Sequence, residues 1–97
     1  MTIGVLTVEI YIYIQETLKE QRNLTRSIRE KVRKKFNVSV AEIPMEGRRG
    51  YSVIAVTAVN SDAVYVQSVL SNVYNLIERC HPDIVQNYHI ETVLYQT

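Results

Sequence analysis

Residues 3 to 14 alternate between two sets of side chains without a break. Gly4, Leu6, Val8, Ile10, Ile12 and Ile14 fall on one side, and Ile3, Val5, Thr7, Glu9, Tyr11 and Tyr13 on the other. A period of two belongs to an extended strand, whose successive side chains point to opposite faces of a sheet. The even side is wholly apolar, so it turns to the core. Whatever fold the chain adopts must cover that face.

The pattern then switches. Thr17-Leu18-Lys19-Glu20 has the form of a capping box, with Thr17 as N-cap and Glu20 reaching back from the third helical position. Leu18, Leu24, Thr25, Ile28, Val32 and Phe36 recur at helical spacing, and Asn37 suits the left-handed conformation that closes a helix. Residues 38 to 43 read as a short strand stopped by Pro44, and Met45 to Gly50 as a polar turn. Tyr51 to Val59 is strongly β-branched and reads as a central strand. Asn60-Ser61-Asp62 supplies capping oxygens for a second helix. One face of that helix carries Val66, Val69, Leu70, Val73, Leu76, Ile77 and Cys80, and His81-Pro82 ends it. Ile84 to Tyr95 forms the last strand.

The order β-α-β-β-α-β is that of the split, ferredoxin-like motif. Short connections and right-handed crossovers predict an α+β fold, a four-stranded antiparallel sheet with both helices on one face. With 97 residues, 46% of them hydrophobic, the chain suits a single domain spanning 1–97 with one core. No basic start precedes an apolar run at the N-terminus, and no uncharged apolar stretch approaches the roughly 20 residues of a membrane span, so a cytoplasmic protein is expected.

The net charge of +1 hides a strong polarity. Segment 16 to 35 holds eight of the eleven basic residues and three acids, a net of +5, which leaves −4 over the remainder. Lys19, Arg22, Arg26, Arg29 and Arg33 are spaced 3-4-3-4. On a helix they form one stripe roughly 21 Å long and about 80° wide. Arginine presents a planar fork of donors that matches phosphate oxygens, so the stripe is a candidate ridge for a nucleic-acid backbone, with Arg48 and Arg49 as additional phosphate contacts. A solvated helix face is the bland alternative.

Catalytic and metal chemistry find little support. Cys80, His81 and His89 are the only soft or imidazole ligands, and His89 lies on a different element, so no metal or cofactor is expected. Cys80 reads as a small hydrophobe on a helix face. Three glycines leave no phosphate-cradling loop, and the first turn, Gln15-Glu16-Thr17, is acidic. Glu9 and His89 share parity on neighbouring strands, where a cross-strand ion pair is the expected role.

Three segments together resemble a known family. Thr17-Leu18-Lys19-Glu20-Gln21-Arg22, then Phe36-Asn37-Val38-Ser39-Val40-Ala41-Glu42, then Asn60-Ser61-Asp62-Ala63 are similar to the bacterial YlxP-like domain of unknown function. Gln21 stands where that family usually has lysine, and the turn at 44 to 50 lacks the family's Asp- and Trp-bearing segment. The resemblance implies a small ferredoxin-like protein, often encoded near translation-initiation and ribosome-maturation genes, with no agreed activity. Glu42 shares strand parity with Val38 and Val40, which requires that it lie at the strand's end or meet a cation.

Arg49 to Val56 and Ile10-Tyr11-Ile12 also resemble degraded RNA-recognition-motif signatures, which would set Tyr11 and Tyr51 to stack bases on the open sheet face. That face also carries Ile3, Val5, Tyr13, Val53, Val59, Val85 and Val93, apolar enough to suggest an interface. Two expectations follow. One is a non-catalytic protein bound to ribosomal or other structured RNA through the helix stripe. The alternative is a homo-oligomer or protein-partner module that uses Tyr11, Tyr13, Tyr51 and Val53 without nucleic acid.

Overall fold

The computed structural model describes residues 1–12 and 17–96. Six elements follow one another: β1 (Thr2–Tyr11), α1 (Leu18–Lys35), β2 (Ser39–Pro44), β3 (Tyr51–Asn60), α2 (Ala63–Cys80) and β4 (Val85–Leu94). The strands form one sheet in the order β2-β3-β1-β4, each antiparallel to its neighbours. This is the ferredoxin-like arrangement. Tyr13, Ile14, Gln15 and Glu16, read above as strand end and turn, lie outside the described residues.

The alternation in β1 does what its period requires. Leu6, Val8 and Ile10 are fully buried on the helix-covered face, and Ile12 nearly so. The core is completed by Ile54 and Val56 of β3, Ile28 and Val32 of α1, and Val66, Leu70, Val73 and Ile77 of α2. Burial of eleven large side chains to below 2% exposure, each favourable by roughly 1.5–3 kcal/mol, supplies the main driving force. Helix α2 packs across β1, β3 and β4, whereas α1 packs on β2 and on α2. The first helix therefore hangs over the β2 edge of the sheet.

The capping box at Thr17 forms in full. The Glu20 amide donates to Thr17 Oγ1 at 3.1 Å, and the Thr17 amide donates to Glu20 Oε2 at 3.3 Å. Thr17→Ala is expected to cost about 1 kcal/mol, a fall in melting temperature of roughly 4–8 °C, checked by thermal denaturation.

Several boundaries differ from the sequence reading, each for a physical reason. Helix α1 does not close through a left-handed Asn37, and no non-glycine residue among those described has positive φ. Phe36 is instead an extended C-cap, whose amide still donates to Val32 O while its ring packs against the core. Pro44 ends β2 from inside it. The backbone of even residues in β2 points away from β3, so the missing N–H costs the ladder nothing. Cys80 borders a small apolar hollow with Ile28, Val32, Leu76 and Ile77, but it is exposed rather than buried because α2 ends there. Val85 is not on the open face. A register shift between Glu9 and Ile10 sets it opposite Ile10, where it packs against the core. Gly50 closes the hairpin turn with φ 85°, where a Cβ would sit 2.8 Å from Ile12 O.

His81 caps the C-terminus of α2, and its Nε2 is buried without a hydrogen-bond partner. Burial, then the nearby Lys31 ammonium, holds its pKa below the ordinary 6.5. The unfolded chain takes up this proton near 6.5 and the folded chain only at lower pH. Between those values the unfolded state binds more protons, so stability falls as pH drops through the window. Thermal melts from about pH 7.5 to about pH 5 are expected to show a steeper acid loss in the wild type than in His81→Gln.

Candidate functional site

The basic stripe of α1 is real as a surface, but its members do different things. Lys19, Arg22 and Arg26 are exposed along the outer half-turns. Arg33 is not available in the same way: its Nη2 donates to Val40 O at 2.9 Å, capping an outward carbonyl of the edge strand β2. Arg29, half-buried between them, has its Nε shielded from solvent with no hydrogen-bond partner. Arg33 thus belongs to the seam between α1 and β2, and Arg29 is partly withdrawn from solvent. The sequence spacing grouped all five because it counts angle around one helix and ignores what that helix lies beside.

A second basic group was not singled out by the stripe. Lys31, Lys34 and Lys35 flank a shallow groove of about 380 Å³ with Leu76 of α2, on the other side of α1. Lys35 Nζ also lies 5.9 Å from the centre of the Phe36 ring. Their spacing of 3 and 1 residues was a legible signal, because i, i+3 and i+4 share a helix face.

Near its N-terminal end α1 borders a cleft of about 310 Å³. Arg22 and Thr25 line it from the helix, Glu42 and Pro44 from β2, and Gly50, Tyr51 and Ser52 from β3, with Ile12, Leu18 and Gln21 completing the wall. This places Glu42. It is half-buried near the end of β2, on the helix side, and shares the cleft with Arg22. Ser52, polar at a position of core parity, is buried at the same cleft.

At the same end, on the opposite face of the sheet, the hairpin presents another cation. The Arg48 guanidinium lies 4.2 Å from the centre of the Tyr51 ring, and Tyr51 meets Tyr11 at 4.6 Å with the planes tilted by 42°. Arg49 is exposed beside it. The two tyrosines therefore pack on each other, with Arg48 over the Tyr51 ring. Their pairing follows from register, since Tyr11 and Tyr51 stand directly opposite across β1 and β3.

The rest of the open face is mixed. Val59, Ile3 and Val93 form one apolar row at one end of the sheet, and Ile43 with Val53 lies toward the other. Between them run Thr57, Ala55, Ala41 and Thr7. Val53, a candidate interface residue, stands opposite Glu9. Tyr13 lies outside the described residues. Glu9 and His89 do not face each other: Glu9 is opposite Asn87 and His89 opposite Thr7, so the pair is diagonal across a shallow hollow of about 260 Å³. Among the described residues no group of three or more His, Cys, Asp or Glu side chains is placed to hold a metal. No helix among them is long and apolar enough to cross a membrane.

Solved structures agree with this fold. Protein PA3566 of Pseudomonas aeruginosa superposes with a TM-score of 0.60 at 12% identity, covering 100% of this chain and 97% of that one. A dabb family protein with a ferredoxin-like fold from Mesorhizobium loti gives 0.59 at 10% identity over 99% and 98% of the two chains. The de novo designed protein Foldit4 gives 0.54 at 17% identity over 97% and 99%. At such identities these likenesses report the fold alone, and a designed neighbour makes plain that the fold carries no activity with it. Sequence similarity is more specific. The uncharacterized protein YlxP of Bacillus subtilis (strain 168) is 33% identical over 76 residues, which span 78% of this chain and 83% of that protein. The model of the family described as "protein of unknown function (DUF503)" matches residues 3–90. The chain is therefore a member of the DUF503 family, the family of YlxP.

Proposed function

We propose that this protein is a non-catalytic binder of structured RNA, ribosomal RNA included, and that the N-terminal half of α1 holds the phosphate backbone. The observation that carries the reading is the exposed row Lys19, Arg22 and Arg26 on a helix that overhangs the sheet edge. Arg48 and Arg49 at the hairpin extend the positive surface around the same end of the molecule. A phosphate chain following α1 would meet guanidinium groups first along the helix and then at the turn. Arginine's paired donors suit that contact, and counterion release would supply most of the affinity.

The test is binding to purified small ribosomal subunits and to a structured RNA across a salt series. Wild type is compared with a Lys19→Gln, Arg22→Gln, Arg26→Gln variant and with Arg79→Gln on α2 as a control. Affinity that falls with salt, and falls again in the triple variant alone, supports the reading. Absence of salt-sensitive binding overturns it.

A second reading, self-association through the open sheet face without nucleic acid, draws on the exposed Val5, Ile43, Val59 and Val93. Concentration-dependent dimerisation abolished by Val5→Asp, with no RNA binding in either protein, would carry it instead.

A further inference from the structure

The two edges of the sheet are treated differently. Strand β2 is short, ends in Pro44, lies beside α1 and has its Val40 carbonyl occupied by Arg33. Those are the usual means by which a protein keeps an edge strand from pairing with another chain. Strand β4 has none of them. It runs for 10 residues, and from Ile84 to Gln96 there is no proline, lysine or arginine. The same segment leaves Tyr88, Val93, Leu94 and Tyr95 about half or more exposed, at 48%, 54%, 70% and 52%. Stacking of Tyr88 on Tyr74 of α2, with ring centres 3.7 Å apart, ties the strand to the body of the protein.

The hydrogen-bond parity of β4 is known from its end. The Tyr95 amide donates to Met1 O at 2.8 Å, and the Met1 amino group donates to Tyr95 O at 2.9 Å. Odd residues of β4 therefore bond to β1, and the even residues Tyr88, Ile90, Thr92 and Leu94 present N–H and C=O outward.

We propose that β4 pairs antiparallel with β4 of a second copy of this chain, about a two-fold axis at Ile90, joining the two sheets into one. The occupant is a second copy because the edge is complementary to itself. With Ile90 opposite Ile90, the outward backbone groups of Tyr88 meet those of Thr92, and those of Thr92 meet Tyr88. On the open face the same register sets His89 opposite Glu91 twice, as close non-hydrogen-bonded neighbours. Centring the axis on Glu91 would set the two glutamates against each other. Centring it on His89 would oppose the two histidines and leave Glu91 facing Asn87. Strand β2 is at the far edge, so the pairing leaves the basic flank of α1 uncovered and is independent of the RNA reading.

Sedimentation velocity over a concentration series tests the proposal. Wild type should reach twice the monomer mass. Thr92→Pro removes an outward N–H that the fold itself does not use, so it should yield a monomer with an unchanged circular dichroism spectrum. His89→Glu should weaken association about tenfold, by opposing like charges at two symmetric positions. The double variant His89→Glu, Glu91→Lys should restore it, which keeps the test decisive if Thr92→Pro fails to fold. A wild type that stays monomeric at every concentration overturns the proposal. So does a dimer indifferent to both the proline and the charge changes but lost in Val5→Asp.

Discussion

Replacing Lys19, Arg22 and Arg26 by glutamine is expected to weaken binding to structured RNA about 100-fold near 0.15 M salt, with the fold intact. The magnitude comes from counterion release. Each neutralised phosphate contributes roughly 0.7–0.9 to the slope of log affinity against log salt, so three lost contacts flatten that slope by about 2–3. At 0.15 M the same slope corresponds to about 4–5-fold in affinity per contact. Glutamine keeps the helix propensity of the replaced chains and avoids placing a new acid beside Glu42 in the cleft. Arg79→Gln should leave affinity within about twofold, because a single distant charge is largely screened at this ionic strength. Filter binding or fluorescence anisotropy at four or more salt concentrations gives both the affinity and the slope. A triple variant with wild-type slope would remove α1 from the interface even if the protein binds RNA elsewhere.

Gly4→Ala is expected to destabilise the protein by about 2–3 kcal/mol, a fall in melting temperature on the order of 10–20 °C. Gly4 lies on the buried face of β1, where a Cβ would overlap Val66 Cγ1 and sit 2.7 Å from Leu70 Cδ1, both on α2. Val66 and Leu70 are themselves fully buried and have nowhere to retreat without disturbing the core. The close approach of α2 to β1 is thus made possible by the missing side chain. Val66→Ala alone should also destabilise, by leaving a small cavity. The double variant Gly4→Ala, Val66→Ala should be more stable than the two single effects predict by at least about 1 kcal/mol, since the added methyl takes space that the lost Val66 Cγ1 vacates. Urea denaturation of the four proteins closes that cycle. Additive effects would mean that the helix shifts away from the strand as a whole.

The elements were legible because each carries its own period and its own punctuation. Alternation in β1, the capping box at Thr17, the Asp62 cap whose carboxylate accepts from the Val64 amide, and the helical spacing of Val66 to Ile77 are local facts, and local physics settles them. The order of those elements then leaves few topologies, and the observed sheet is the one that short right-handed crossovers favour. Family membership was legible for the same reason, in the short segments that cap α1 and form β2.

What the local pattern could not decide is which groups meet across elements. The five-residue stripe is uniform around α1, yet the position of α1 over the β2 edge turns Arg33 into a backbone cap, and Arg29 is half-buried, so Lys19, Arg22 and Arg26 form the exposed row that no backbone contact among the described residues engages. A one-residue register shift in β1–β4 moves Val85 from the open face to the core. The same ladder sets Glu9 and His89 diagonally rather than face to face. Tyr11 and Tyr51 share a parity that sequence can read, but only their direct opposition makes them pack on each other. By itself the sequence determined the strands, the helices and their order, because dihedral preference and apolar period act over a few residues. The partners of its charged and aromatic side chains were decided by tertiary structure alone, because register and helix placement depend on how the whole core packs.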